Sequence, residues 1–159
     1  MKPNIPMNNF LASALIVGEK TIPHKFLLLK RAVTTFFGNE WFHIAGEIEQ
    51  GESASDAIVR EIKEETGLKI NNLYSADFCE QFYSVNTDCI TIVPAFVAFV
   101  DENQKIILNE EHTEYKWVTF SEAISIVTFN CQKKLLETVY EGFIIKQPSK
   151  WLKIAKYSS

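Results

Sequence analysis

The chain has 159 residues, of which 47% are hydrophobic and 23% charged, and its formal net charge is −4. That length suffices for one domain with a substantial core, so a single domain over residues 1–159 is expected, and the composition excludes a disordered or fibrous chain. The mild acidity excludes the global positive field that recruits a nucleic acid polymer, and an acidic protein that takes up polyphosphates needs a cation to offset the repulsion. Cys79, Cys89 and Cys131 form no CxxC pair and have no histidine partner at zinc spacing, so free thiols in a reducing compartment are expected. The opening MKPNIPMNNF is polar, holds two prolines and does not read as a signal peptide. The apolar runs over 10–17 and 90–100 are too short for a bilayer, and Pro94 interrupts the second. The expectation is a soluble, cytoplasmic protein without a membrane partner.

In chain order, NFLASALIV predicts a largely buried strand, followed by a turn near Gly18–Pro23 and a second strand over HKFLLLKRA. TTFFGNE is a loop with Gly38-Asn39 as its turn signal, and WFHIAGEI returns as one strand. Ser53 is a good N-cap for a helix through SASDAIVREIKEET, with Asp56 at the positive end of its dipole and Gly67 as its stop. KINNLYSADFCEQFYS and CITIVPAFVAFV read as adjacent strands, EYKWVTF as another, and a short helix begins near Ser121. A last helix over about 130–145 carries Leu135, Leu136, Val139, Tyr140, Phe143 and Ile144 on one stripe. Strands before, between and after helices imply a mixed sheet with helices on both faces.

The chemistry concentrates in the helix after Ser53. Ile58, Ile62 and Val59 make its apolar stripe, while Glu61, Glu64 and Glu65 share another face at i, i+3 and i+4. Ala54 and Ala57 on that same face are small enough to leave the carboxylates room. Three adjacent carboxylates repel one another unless solvated or bridged by a cation, and hard oxygen ligands suit Mg²⁺ or Mn²⁺. Taken alone, the helix reads rather as a solvated acidic face with Arg60 and Lys63 as partners. The flanks decide between these readings. Gly46, Glu52, Arg60, Glu61, Ile62, Glu64, Glu65, Gly67 and Leu68 fit the pattern G-x(5)-E-x(7)-R-E-U-x-E-E-x-G-U, with U aliphatic, at every specified position. At average residue frequencies such a match arises by chance roughly once in 10⁹ positions.

On these residues the chain resembles the Nudix (MutT-like) hydrolases, and the likeness extends over most of residues 9–147. The resemblance implies an α/β fold of the α+β type, an α/β/α sandwich with a mixed central sheet. It implies hydrolysis of a nucleoside diphosphate linked to another group, by water attacking phosphorus with Mg²⁺ or Mn²⁺ as cofactor. Carried over by residue, Glu61, Glu64 and Glu65 match the metal ligands, Arg60 the arginine that orients them, and Glu52 the supporting glutamate of the loop. Gly46 begins that loop, where a tight turn is expected. The family commonly has Pro-Gly-Gly where this chain has Ile44-Ala45-Gly46, so Ala45 can offer its carbonyl to metal, whereas a positive φ there would be costly.

Outside the box, Glu111 stands where related enzymes place a distal metal ligand or general base, with Glu110 and Glu114 as competitors. His112 is either a phosphate contact or a surface histidine. Arg31 matches a basic substrate-contacting position, with Lys30 facing the other side of its strand. Phe36, Phe37, Trp41, Phe82 and Tyr83 are candidates for stacking on a base, or packing residues. The stretch from Pro94 to the last helix resembles the dATP and dihydroneopterin-triphosphate pyrophosphohydrolases, and also the diadenosine-tetraphosphate hydrolases. The expected partner is therefore a small nucleotide or nucleotide-like diphosphate, bound by a monomer or homodimer. A binding or sensor module without turnover, and an isopentenyl diphosphate isomerase using Cys79 or Cys89, are the alternatives from other classes.

Overall fold

In the computed structural model, which describes residues 1–2 and 4–159, one mixed sheet lies between helices on its two faces. In chain order the elements are β1 (Met7–Asn8), β2 (Leu11–Gly18), β3 (Lys25–Arg31), β4 (Trp41–Phe42), β5 (Ile44–Glu47), α1 (Ala54–Thr66), β6 (Ile70–Ser84), β7 (Cys89–Val100), β8 (His112–Val118), α2 (Phe120–Ile126) and α3 (Asn130–Val139). A π-helical turn over Tyr140–Ile145 continues α3, so the single helix expected over 130–145 changes its hydrogen-bond register at Tyr140.

The two apolar central strands are buried on both faces, which is why they read as nearly continuous hydrophobic runs. Their alternation sorts side chains between two cores. Ala12, Ala14, Ile16, Leu27 and Leu29 pack with Ile58 and Ile62 of α1. Leu15, Val17, Phe26 and Leu28 pack with Leu135, Leu136 and Val139 of α3 and with Phe143 beyond it. Each such fully buried aliphatic side chain contributes about 1.5–3 kcal/mol. Of the stripes deduced from sequence, Ile58, Ile62, Leu135, Leu136, Val139 and Phe143 are buried, while Val59, Tyr140 and Ile144 pack half-buried against the same cores.

Strand β2 is the hub. It runs parallel to β7 along residues 13–18, and antiparallel to β5 through Leu11–Ala14 and to β3 through Ile16–Gly18. Strand β6 pairs antiparallel with β7, with a register shift between Ser75 and Cys79 where Asp77 takes a positive φ of 55°. The strand expected over WFHIAGEI is two short ones, because the chain breaks at His43: β4 pairs with β3 and β5 with β2.

Two features had no sequence signal. Strand β1 adds to β7 in parallel at Ile90 and Thr91. The last ten residues lie along the free side of β6, where the amide of Ile154 donates to the Leu73 carbonyl and that of Ser159 to the Asn71 carbonyl. Ile154 and Tyr157 pack against the α1-side core. Lys156 Nζ donates to Asp56 in the first turn of α1 at 2.7 Å, and the Tyr157 hydroxyl donates to the same carboxylate. These bonds, Lys156 first, hold the Asp56 carboxyl well below its usual range. Deleting residues 150–159 is expected to lower the thermal midpoint by about 2–8 °C, the effect of losing one or two kcal/mol in a chain of this size, measured by differential scanning calorimetry.

Candidate functional site

Helix α1 starts where the sequence places it. Ser53 has an extended backbone and its Oγ accepts from the Asp56 amide at 3.1 Å, while Gly67 ends the helix at φ 72° in the left-handed conformation. Gly51, at φ 85°, makes the turn in the preceding loop. This fixes which face of α1 turns toward β5.

That face is organised by Arg60. Its Nε donates to Glu52 Oε1 at 2.7 Å and Nη2 to Glu52 Oε2 at 3.0 Å, a bidentate pair. Nη1 reaches Glu61 at 2.8 Å and Glu64 at 3.3 Å, and Nη2 also donates to the Glu47 carbonyl at 2.9 Å. Glu52 in turn accepts from the Glu49 amide at 3.0 Å. One guanidinium thus ties the loop, strand β5 and the acidic helix face into a single unit.

Gly46 is not at a turn. It lies in β5 opposite Ala12, and a Cβ there would stand 2.2–2.5 Å from the Glu61 side chain. Glycine is needed because Glu61 crosses directly over the strand, a requirement of space rather than of φ. Ala45 has no positive φ, so alanine is accommodated where the family often has glycine. The Ile48 amide bonds the Phe10 carbonyl, which makes Gly46–Ala12 a hydrogen-bonded pair and Ala45–Ser13 a non-bonded one. The Ala45 carbonyl is therefore directed away from β2, as is that of Glu47, which meets Arg60.

Glu65 is only 2% exposed, and its Oε2 has no hydrogen-bond partner. Burial, reinforced by the charges of Glu61 and Glu111, pushes its carboxyl up to about 8. Burial likewise raises Glu61, against the pull of Arg60. A buried acid with an orphaned oxygen beside two further carboxylates fits a hard divalent cation, which would neutralise all three. As the side chains stand, no three potential ligands among the described residues converge on one point, because Arg60 draws Glu61 and Glu64 toward itself.

The residues named outside the box are partly brought in. Glu111 is exposed, lines the same cavity as Glu61, Glu64 and Glu65, and acts electrostatically on Glu61 and Glu65. Its competitors lie elsewhere: Glu114 pairs with Lys30 at 3.4 Å, and Glu110 does not line the cavity. Arg31 lines it, donating from Nε to the Phe36 carbonyl at 2.6 Å with its guanidinium 5.8 Å from the Phe42 ring. His112 is neither a surface residue nor free to reach outward. It is buried, with Nδ1 3.2 Å from Asn109 Oδ1 and Nε2 4.0 Å from Glu65, and burial followed by the Arg31 charge lowers it to about 4. Phe36, Phe37 and Phe82 line the cavity, whereas Trp41 packs on the α3-side core and Tyr83 turns outward to bond Asp88. Ala57 is fully buried and Ala54 packs against the core, so neither opens the room expected of them. The three cysteines are unpaired.

The cavity, about 740 Å³, runs around the edge of β5 that β2 does not cover. Sequence reading missed its other side: a buried pair of His43 and Glu80, with Ser13 behind them. Alternating polar residues in strands gave no hint that two of them, 37 positions apart, would meet.

A NUDIX domain family model matches residues 9–139. The chain therefore belongs to the Nudix family of pyrophosphohydrolases, which act on nucleoside diphosphate-linked compounds and generally use divalent cations. It is 38% identical over 72 residues to a nudix hydrolase 1 of Caenorhabditis elegans, a match that covers 45% of this chain and 18% of that much longer protein. It is 27% identical over 115 residues to the asymmetrical bis(5′-nucleosyl)-tetraphosphatase of Mus musculus, covering 70% of this chain and 76% of the relative. Among solved structures, the MutT protein of Methanosarcina mazei superposes with a TM-score of 0.73 at 24% identity, over 89% of this chain and 99% of that one. No helix among the described residues is long and apolar enough to cross a membrane.

Two outcomes follow. Gly46→Ala should displace Glu61 and weaken Mn²⁺ binding at least about tenfold, read by electron paramagnetic resonance, since ligand geometry tolerates little displacement. In metal-free protein, Glu65 stays protonated in the fold while the unfolded chain ionises from its ordinary value of 4.5 upward. Its contribution to stability is full below pH 4.5 and lost as pH rises through about 8. With EDTA present, the wild type should therefore lose several degrees of thermal midpoint relative to Glu65→Gln between pH 5 and 9, and Mg²⁺ should close that gap.

Proposed function

We propose that this chain hydrolyses a diphosphate bond in a nucleoside diphosphate-X compound with Mg²⁺, or Mn²⁺ in its place. The favoured substrate is a (deoxy)nucleoside triphosphate such as dATP, or a pterin triphosphate, releasing pyrophosphate. The observation that carries this reading is the buried Glu65, with its orphaned oxygen, beside Glu61 and Glu111 at the mouth of a cavity lined by Arg31. Glu61, Glu64, Glu65, Glu111 and the Ala45 carbonyl are the groups that would hold metal. When bound, the cation supplies charge neutralisation for the diphosphate and acidifies the attacking water.

The chain's own part is positional. Arg60 ties Glu61 and Glu64 to the loop and to β5, and a bound cation would compete with it for those two carboxylates. Arg31 is placed to pair with a phosphate oxygen. Water oxygen bonds to phosphorus, the bridging P–O bond breaks, and the water's proton passes to a carboxylate. Glu64, the most exposed of the helix acids, and Glu111, which lines the same cavity, are the candidates for that base.

A second reading is supported by the mouse relative, whose printed activity is on bis(5′-nucleosyl) tetraphosphates, and by a cavity roomy enough for an extended ligand. A panel of nucleoside triphosphates, a pterin triphosphate and diadenosine tetraphosphate, assayed in ¹⁸O water with products resolved, separates the two. Release of pyrophosphate is expected from the triphosphates. Preferential cleavage of the tetraphosphate would favour the second reading, and no turnover of any compound would refute both. Glu64→Gln should retain its fold by circular dichroism and lose about 10²–10⁴ in kcat, as expected when a general base or metal ligand is removed.

A further inference from the structure

Glu111 differs from the helix acids in how it is placed. Glu61 and Glu64 are held by Arg60 through their carboxylates, whereas Glu111 is exposed in a turn and is located through its backbone. Its carbonyl accepts from the Ala32 amide at 2.8 Å, just beyond β3, and its amide donates to Asn109 Oδ1 at 3.2 Å. The chain enters that turn already fixed. The Ile107 amide donates to the Thr66 carbonyl at the end of α1 at 2.9 Å, and Ile106 and Leu108 pack with Ile62 in the α1-side core. Asn109 is where the chain leaves this anchored stretch, and it lines the same cavity as Glu111.

A backbone amide can only donate, so the atom that meets the Glu111 N–H is the carboxamide oxygen of Asn109. The same oxygen stands 3.2 Å from His112 Nδ1, which must therefore carry a hydrogen and donate as well. The His112 amide adds a third bond, to the Asn109 carbonyl at 3.3 Å. The bond from the side chain of Asn109 to the amide two residues on is an Asx turn, which shapes the backbone locally. The His112 ring, only 6% exposed, has its other nitrogen 4.0 Å from Glu65 Oε2. One side-chain oxygen is thus gripped from two sides, by the backbone of one acid and by a buried ring that lies against another. With the ring fixed by burial, the carboxamide has little freedom to turn away.

We propose that Asn109 is a positioning residue: its carboxamide oxygen, clamped by the His112 ring, holds the turn that presents Glu111 to the cavity lined by Glu61, Glu64 and Glu65. This role rests on the proposed function, in which Glu111 helps to hold the cation or accepts the proton of water. Removing the oxygen deprives two donors of their partner at once and frees the turn. A ligand or base displaced in this way acts poorly, because such groups work only when their supporting shell keeps them in place. A residue that merely formed a stable turn would be indifferent to whether position 111 carries an acid.

Four variants of the full chain separate the two roles: Glu111→Gln, Asn109→Leu, both together, and Asn109→Ser. Leucine keeps the bulk of asparagine without the acceptor, while a serine hydroxyl can still accept from the amide two residues on. Two quantities are measured on protein shown by circular dichroism to be folded. One is Mn²⁺ affinity without substrate, by electron paramagnetic resonance; the other is kcat at saturating Mn²⁺. Glu111→Gln should lower one or both at least about tenfold. Asn109→Leu should lower the same quantity at least about fivefold, yet less than about twofold further in the Glu111→Gln background, since the two residues act as a unit. Asn109→Ser should return it to within about threefold of wild type. If Asn109→Leu folds poorly, Asn109→Ala takes its place in both backgrounds. An Asn109 variant that loses heat stability but neither affinity nor kcat, or losses that simply add in the double variant, would overturn the role of Asn109 and leave that of Glu111 standing. No effect of Glu111→Gln on either quantity would overturn both.

Discussion

Everything in this site depends on the guanidinium of Arg60. A single planar group spends its donors on Glu52, Glu61, Glu64 and the Glu47 carbonyl, so the loop, the edge strand and the acidic helix face share one set of coordinates. Lysine could supply the charge but not the fork. The positive charge also makes a concentration of glutamates tolerable in the absence of a cation. Glu65 lies out of its reach, and there the unrelieved burial emerges as a raised carboxyl.

The scaffold gives this arrangement its precision. Helix α1 is seated by Ile58 and Ile62 against the sheet, capped by Ser53, closed by Gly67, and tied at its first turn to the C-terminal segment through Asp56. Gly46 allows the helix to approach β5 so closely that Glu61 lies over the strand itself. Packing, caps and one missing Cβ together locate three carboxylates, as the precision of a site on rigid elements requires.

Much of this was legible from residues alone. Local signals set the ends of α1, and periodicity assigned the apolar stripes of α1 and α3, because each depends on neighbours in sequence. The spacing from Gly46 to Leu68 placed Arg60, Glu61, Glu64 and Glu65 in one unit. The break at His43 was not legible, since nothing in WFHIAGEI marks where pairing passes from β3 to β2. Gly46 was legible as necessary but for the wrong reason: its constraint is a side chain fifteen positions away. His112, Glu80 and the docking of residues 153–159 were hidden for the same cause, being fixed by partners remote in the chain. The register shift in β6 is likewise a tertiary adjustment without a sequence mark.

The uncovered edge of β5 has a consequence for how the molecule can change. Carboxylates lie on one side of that strand and the His43–Glu80 pair on the other, with a single extended backbone as the partition. The two walls share no side-chain hydrogen bond among the described residues, so substitutions in one should combine nearly additively with substitutions in the other. The wall formed by His43 and Glu80 can then change in sequence while the carboxylate wall stays as it is.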